Sequence, residues 1–299
     1  MEQNEKKSNL KGKIMKMLAE TFVHTGTGHS TSIVDCPVAR ETITSYPFIP
    51  STSLKGSLRG LANENIGVNS NITNKTVDKY FGSSDSAGKL LISDARLLLL
   101  PVRSLLTNYR WITCPYILER LKRDLKRLGI QYSFTIPKVT RGKALSCANE
   151  QYIFLEERQF EKEESESIDN LANLLLAMIP DDDVRSRLKD QLVILHNDDF
   201  KWFANFGLEI RARNILNSET KSSRNLWYEE YISPDTLMYC LVFSEEDGIS
   251  FLNNLLTNSC FLQIGGNETV GQGWFHVELD YAENIIHHTE KIDADNGGE

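Results

Sequence analysis

Apolar and polar positions along the chain follow two periods, and each stretch predicts its own kind of element. Residues 13–23 predict an opening strand, which runs into the turn-rich stretch His24-Thr-Gly-Thr-Gly-His-Ser-Thr-Ser. Tyr46-Pro-Phe-Ile-Pro predicts extended chain, because each proline disfavours helix at the residue before it. Ser51-Thr-Ser then predicts the cap of a helix whose leucines, Leu54, Leu58 and Leu61, recur at helical spacing. Residues 63–77 are polar and Asn-rich, the pattern of an exposed loop, and residues 90–102 predict a strand pair or a strand plus turn. An amphipathic helix is predicted over 115–128, with Leu118, Leu121, Leu125 and Leu128 as its stripe, Pro115 in the first turn and Gly129 as the stop. Its other face is basic: Arg120, Lys122, Arg123, Lys126 and Arg127.

Residues 156–170 predict a solvated acidic connector, and residues 168–179 another apolar helix stopped by Pro180. Over 206–232, alternating Leu208-Glu-Ile-Arg-Ala-Arg, a long turn-like stretch from Asn217, and the β-prone run Leu226-Trp-Tyr-Glu-Glu-Tyr-Ile predict a long hairpin with a basic tip. The chain closes with a strand at 261–264, a glycine-rich loop at 265–273 and a last strand at 274–279.

The length of 299 residues allows one large domain or two ordinary ones, and 40% hydrophobic with 25% charged residues is the balance of a soluble globular protein. The longest apolar stretch, 97–102, is far too short to span a bilayer, and the polar N-terminus lacks the apolar core of a signal peptide. Five scattered cysteines, never in a C-x-x-C pair, argue against a disulfide framework and a cysteine zinc site. The expectation is a reduced, cytoplasmic protein with no membrane partner. The net charge of −8 would by itself count against nucleic acid. It is unevenly spread: residues 156–199 hold 13 acids and 5 bases, residues 277–299 hold 7 acids and 1 base, and residues 101–145 hold 10 bases and 2 acids. Such a chain is expected to offer a positive face to RNA while its acidic segments point elsewhere; a set of solvated helix faces is the plainer alternative.

Candidate chemistry is dispersed. The loop Gly265 to Gly273 is not a Walker A loop, since Gln272 and Gly273 stand where Lys and Ser or Thr are needed. Its glycines Gly265, Gly266, Gly271 and Gly273 let backbone N–H groups approach a phosphodiester, and equally suit a tight turn. Lys55 and Arg59 share one helical face, with Gly56 leaving the first turn open, which makes a phosphate clamp or an ordinary solvated pair. Asp35, in a turn after the opening strand, is a carboxylate placed to hold a divalent ion, take up a proton or cap a turn, and His24 is a nearby acid–base candidate. Cys36 has no evident base partner. Glu229 and Tyr231 fall on one face of the returning hairpin strand. Asp85 and Asp94 suit turn and cap roles.

The order of these segments says more than any one of them. His24-x-Gly-x-Gly, Ile33-Val-Asp-Cys-Pro-Val-Ala-Arg-Glu, Ile49-Pro-Ser-Thr-Ser-Leu-Lys-Gly-Ser-Leu-Arg, Trp111-Ile-Thr-Cys-Pro-Tyr, Leu226-Trp-Tyr-Glu-Glu-Tyr and Ile264-Gly-Gly-Asn-Glu-Thr-Val-Gly-Gln-Gly-Trp, in register over about 13–280, closely resemble the backbone RAMP subunit of the Cmr (type III-B) CRISPR effector complex. The resemblance implies an α+β fold: a modified ferredoxin-like (RNA-recognition-motif) palm with helical insertions and a protruding β-hairpin thumb. In that scheme one domain covers 1–291, with the thumb at 203–232, a mostly helical insertion at about 103–200 and a disordered acidic tail at 292–299. Its partners would be guide RNA, target RNA, neighbouring copies of itself and other subunits of the Cmr complex. Asp35 falls on the position used for metal-dependent cleavage of target RNA, with Mg or Mn as the ion, and His24, Glu229 and Tyr231 on positions that assist. Arg40, Lys55, Gly56 and Arg59, with the glycine-rich loop, fall on the guide-binding surface. Ala39 and Cys36 depart from the family pattern beside Asp35. Two other readings stay open: a non-catalytic RNA-binding filament subunit, and a small-molecule metalloenzyme built on His24, Asp35 and Glu229.

Overall fold

The structure, a computed structural model, describes residues 10–28, 33–68, 71–130, 134–165 and 167–280. The first half of the chain holds β1 (Lys11–Ala19), β2 (Phe48–Ile49), α1 (Ser51–Glu64), α2 (Asn74–Phe81), β3 (Leu91–Ile92), β4 (Ala95–Arg103), β5 (Tyr109–Thr113) and α3 (Pro115–Arg127). Next come β6 (Lys143–Ser146), β7 (Tyr152–Leu155), β8 (Arg158–Glu163), α4 (Ile168–Ala177), α5 (Asp182–Arg185), α6 (Leu188–Gln191), β9 (Leu192–Leu195) and α7 (Asn197–Phe206). The chain ends with β10 (Glu209–Leu216), β11 (Ser223–Tyr231), β12 (Leu237–Ser244), α8 (Glu246–Asn258), β13 (Phe261–Gln263) and β14 (Trp274–Asp280).

Four of these strands make the palm, in the order β14-β1-β12-β4 with every neighbour antiparallel. With α1 between β1 and β4, and α8 between β12 and β14, this is the ferredoxin-like arrangement that the resemblance implies. β1 is its central strand and is buried on both faces from Lys13 onward. Burial of the Lys16 ammonium is offset by Asp280 (2.9 Å) and Glu278 (2.6 Å) on the adjacent β14 and by the Ala177 carbonyl (3.2 Å) at the end of α4.

The sheet continues from β4 through β5, β9, β6, β8 and β7, with twelve strands in all. The described part of residues 103–200, expected to be mostly helical, thus carries five strands beside five helices. The acidic connector expected at 156–170 contains β8: Phe160 points into the core while Gln159 and Glu161 face out, a period-two pattern that the density of acids conceals. Likewise α2 lies partly within the expected loop at 63–77, started by Thr73 Oγ1 accepting from the Thr76 N–H and anchored by Val77, Tyr80 and Phe81. α1 begins where predicted, but its cap comes from outside: Asp94 Oδ1 accepts from the Ser51 N–H at 2.7 Å. α3 keeps its predicted bounds, with Pro115 at the start and Gly129 at φ +81° past the end.

Some bases of the stretch 101–145 are paired within the chain, with acids expected to point elsewhere among their partners, while Arg103, Lys122, Arg123, Lys126, Arg127, Lys138 and Arg141 remain exposed. Arg103 meets Glu156 (2.8 Å), Arg110 meets Glu150 (2.7 Å), Arg120 meets Glu41 (2.5 Å) and Lys143 meets Glu161 (3.4 Å). Buried Asp124 on α3 accepts from Arg96, from Arg127 at 2.5 Å and from the Tyr239 hydroxyl at 3.0 Å.

β10 and β11 form a separate two-stranded sheet, the predicted hairpin, in register from Glu209–Tyr231 to Ile215–Asn225. Residues 203–206, expected within the thumb, belong to α7. All five cysteines are thiols. No helix among the described residues is long and apolar enough to cross a membrane. His29, the pair His287-His288 and the acidic tail at 292–299 lie outside the described residues.

Candidate functional site

One edge of β11 pairs with β10, and the other holds the two segments that carry Asp35 and His24. The Tyr228 N–H donates to Asp35 Oδ2 at 2.8 Å, the Cys36 N–H to the Tyr228 carbonyl at 3.0 Å, and the Glu230 N–H to the Cys36 carbonyl at 3.0 Å. His24 Nδ1 donates to the Glu230 carbonyl at 2.9 Å. That bond fixes the proton on Nδ1 and leaves Nε2 for other contacts. The Glu230 side chain reaches the opposite way. Its carboxylate accepts from the Val38 N–H (3.1 Å) and from Arg40 Nη2 (2.6 Å), so the loop 35–40 is fastened at both ends. Asp35 is half-buried, with Oδ2 engaged and no hydrogen-bond donor to Oδ1 among the described residues.

On the next face of β11, Glu229 is 7% exposed and accepts three hydrogen bonds. They come from Trp227 Nε1 (2.7 Å), Asn267 Nδ2 (2.9 Å) and the hydroxyl of fully buried Tyr231, with Arg213 3.7 Å away. Burial pushes the carboxyl up, but the three donors and the guanidinium more than offset it and hold the group below the usual carboxylate range. Tyr231 is shifted the other way by its own burial and by its bond to Glu229. Its ring meets Phe22 and His24 edge-on at 6.1 and 5.7 Å, and Arg211 lies 3.7 Å over the Phe22 ring. Tyr231 and Glu229 therefore lock the foot of the hairpin, with each oxygen of Glu229 already accepting a hydrogen bond.

The glycine-rich loop is the third part. Gly265 at φ +99° and Gly273 at φ +85° lie where a Cβ would come within 2.5 Å of the His24 carbonyl and 2.3 Å of the Ile264 carbonyl. Gly271 is also left-handed, at φ +78°. The N–H groups expected to cradle a phosphate point inward instead: Gly266 donates to His24 (2.8 Å), Gly271 to Glu268 (3.0 Å) and Gly273 to Phe22 (2.9 Å). These glycines let two backbones approach closely, and Asn267 between them carries the bond to Glu229.

Two depressions result. One, about 500 Å³, lies at the foot of the hairpin and is lined by Asp35, Cys36, Trp227 and Glu229. The other, about 610 Å³, runs between α1 and the glycine-rich loop and includes His24 and Gly56. Asp35 and His24, expected to work together, thus line different depressions. The Cys36 thiol, beside Asp35, is pushed up by burial and by the neighbouring carboxylates of Glu229 and Asp35, against any nucleophilic role.

The three candidate cations are all engaged inside the fold. Arg40 donates to the carbonyls of Ser45 (2.8 Å) and Ala204 (2.6 Å) as well as to Glu230. Lys55 and Arg59 do share a face of α1, but they bond the Leu90 carbonyl (3.0 Å), the Gly82 carbonyl (2.7 Å) and Asp78 (2.8 Å). Desolvation, then the charge of Arg59, lowers the Lys55 ammonium. The sequence reading missed Trp227, Asn267 and Arg213. Trp227 had a signal, since it alternates with Glu229 and Tyr231 along one strand face; Asn267 and Arg213 had none.

A resident divalent ion needs several free oxygens. Asp35 has one oxygen without a donor, both oxygens of Glu229 already accept hydrogen bonds, and no group of three His, Cys, Asp or Glu side chains that could hold a metal occurs among the described residues. The donor set among the described residues does not fit a resident ion of that kind.

A ferredoxin-like palm, a projecting hairpin and a glycine-rich turn before the last strand define a class. The RAMP superfamily matches residues 16–276, and the chain belongs to it. The CRISPR system Cmr endoribonuclease Cmr4 of Pyrococcus furiosus is 30% identical over 293 residues, which cover 92% of this chain and 98% of that protein. The CMR subunit Cmr4 of Saccharolobus solfataricus is 23% identical over 291 residues, 85% of this chain and 92% of its own. Within the superfamily the chain therefore belongs with Cmr4. The crystal structure of oligomeric Cmr4 from Pyrococcus furiosus superposes with a TM-score of 0.73 at 27% identity, covering 91% of this chain and 99% of that one. A chain of the type III-B Cmr-beta complex bound to cognate target RNA shares the fold, with a TM-score of 0.72 at 18% identity and coverage of 92% and 98%.

Proposed function

We propose that this chain is the guide-RNA-binding backbone subunit of a type III-B CRISPR ribonucleoprotein, and that Asp35 cuts guide-paired target RNA at regular intervals. The single observation that carries the reading is the Asp35 carboxylate, pinned through Oδ2 to the Tyr228 N–H at the foot of an exposed hairpin with Oδ1 open. Membership with Cmr4, whose Pyrococcus relative is named an endoribonuclease, supports it. The partners are guide RNA, target RNA, neighbouring copies and other Cmr-complex subunits.

A target nucleotide splayed at the foot of the hairpin brings its 2′-hydroxyl to Asp35 Oδ1. Asp35 accepts the hydroxyl proton, the 2′-oxygen attacks the adjacent phosphorus, and the bond from phosphorus to the 5′-oxygen breaks. Water protonates the departing 5′-oxygen, leaving a 2′,3′-cyclic phosphate and a 5′-hydroxyl. Glu229 and Tyr231 are positioning residues that keep β11, and so the Tyr228 N–H, in place. Because a magnesium ion usually brings phosphate oxygens and waters into its own shell, any ion would arrive with the RNA, and none of these steps depends on one. Regular spacing follows from repetition, each copy adding one Asp35 along the duplex.

The test is target-RNA cleavage by the complex reconstituted with guide RNA, comparing the native chain with Asp35→Asn. A ladder of evenly spaced products, lost in the variant while target binding persists, is expected. An unchanged ladder would move the chemistry to another residue, and no ladder from the native complex would leave a purely structural RNA-binding subunit.

A further inference from the structure

Among the described residues, Trp227 is the one aromatic side chain lining the depression that holds Asp35. Alternation along β11 puts Asn225, Trp227, Glu229 and Tyr231 on one face and turns Tyr228 to the other. On β10 the residue opposite Trp227 is Arg213, and along the other edge of β11 runs the segment that carries Asp35 and Cys36. Trp227 thus immediately precedes the Tyr228 N–H that orients Asp35.

The ring is held from one end. Its Nε1–H donates to Glu229 Oε1 at 2.7 Å, and Glu229 is itself held by Tyr231 and Asn267. That bond orders the indole in advance, so a base stacking on it finds a surface with little rotamer freedom left to lose. The bond also spends the only polar atom of the indole, which is a donor and nothing else. What the half-buried ring has left to offer is carbon surface, which attracts every base and reads the edge of none. The chemistry at Asp35 needs such a hold. Guide pairing cannot orient a nucleotide splayed out of the duplex, and Asp35 Oδ1 accepts a proton only from a 2′-hydroxyl within hydrogen-bond reach. Misplacement by an ångström slows such a reaction about a hundredfold. Cys36, Asn225, Leu226 and Glu229, which line the same depression, have no planar apolar surface for a base.

We propose that the Trp227 ring is the platform on which the base of the splayed target nucleotide stacks, so that its 2′-hydroxyl is presented to Asp35 Oδ1 whatever the base. The proposal rests on the Asp35 reading and adds what positions the substrate there. Because the indole N–H is committed to Glu229, the platform is indifferent to base identity, and cutting follows spacing along the duplex rather than target sequence.

The test is single-turnover target cleavage by the complex reconstituted with guide RNA, carrying the native chain, Trp227→Ala or Trp227→Phe. Targets bear each of the four bases, or an abasic ribonucleotide that keeps its 2′-hydroxyl, at one cut position. The native complex is expected to cut the four bases at similar rates and the abasic position about tenfold more slowly, with neighbouring cuts unchanged. Trp227→Ala should slow every cut about tenfold while target affinity, set by guide pairing, is kept. In that variant the abasic position should be slowed no further, because both changes remove the same contact. Trp227→Phe keeps a ring and drops the bond to Glu229, so it should recover most of the rate. The abasic target is read with the native chain, so a folding defect in a variant cannot decide the outcome. An abasic position cut at the native rate, with Trp227→Phe as slow as Trp227→Ala, would make Trp227 only a brace for Glu229 and overturn the platform. Native rates in Trp227→Ala would overturn it as well. Either result beside a ladder lost in Asp35→Asn would remove the stacking alone. A ladder unchanged in Asp35→Asn would instead sink the Asp35 reading, and the proposal with it.

Discussion

Glu229→Gln keeps the shape of a side chain that is 7% exposed and removes its charge. The amide can still answer all three donors if the Tyr231 hydroxyl turns to accept and the Asn267 amide flips, so the network need not break. What it loses is charge assistance. A hydrogen bond to a charged group contributes about 1.5–3 kcal/mol and a neutral one about 0.5–1.5. Three such losses total about 3 kcal/mol, from which relief of the buried charge takes back about 1. The expected net destabilisation is about 2 kcal/mol, or about 4 °C in Tm for a chain of this size. Glu229→Ala strands the Trp227, Tyr231 and Asn267 donors together and should lose about 4 kcal/mol or more.

The pH dependence identifies the cause. Glu229 has its carboxyl held below the usual range in the folded chain. Its contribution is therefore full above the ordinary carboxylate pKa of about 4.3 and is lost as pH falls through the lower folded value. Thermal unfolding of wild type and Glu229→Gln should differ by about 4 °C at pH 7, and the gap should narrow below about pH 4. The other carboxylates titrate in both proteins and cancel in the difference. A double-mutant cycle with Tyr231→Phe should show coupling of about 1 kcal/mol. A Gln variant within 1 °C or so of wild type at pH 7, or a gap that stays constant into acid, would refute the charged network.

Two further expectations follow from the loop and from the donor set. Gly273→Ala puts a Cβ 2.3 Å from the Ile264 carbonyl at φ +85° and should destabilise by about 3 kcal/mol, whereas Gly271→Ala, left-handed but in open space, should lose about 1–2; equal Tm losses would refute the close-approach reading. Titration of the RNA-free chain with Mn²⁺, followed by water proton relaxation, should show no stoichiometric site below about millimolar, because Asp35 alone cannot assemble the six or more oxygens such a hard cation takes; a tight site would mean that oxygens other than Asp35 Oδ1 are free to ligate.

Element type was legible where it depends on neighbours a few residues away. Pro115, the leucine stripe and Gly129 lie within one helix, and α3 has its predicted bounds. The alternation at 208–213 marked the hairpin in the same way. β8 was missed because five of its six residues are polar or charged and its period of two rests on one apolar residue, Phe160. The availability of a charge is different in kind, because it is settled by partners the local pattern does not contain. Arg110 finds Glu150 40 residues on, Arg120 finds Glu41 79 residues back, and Arg59 finds Asp78 across α2. Counting bases over 101–145 therefore located a surplus without saying which of its members stay exposed, as Arg123 and Lys126 do, and which are buried in pairs, as Arg110 is. Asp35 shows the same separation at greater range: the N–H that orients it belongs to Tyr228, 193 residues away. No spacing rule within the turn could have distinguished it from a capping aspartate, and only the order of motifs along the whole chain singled it out. The open Asp35 oxygen is thus a property of the folded hairpin foot, and a variant that loosens that foot from a distance, such as Glu229→Ala, should slow cleavage even with Asp35 untouched.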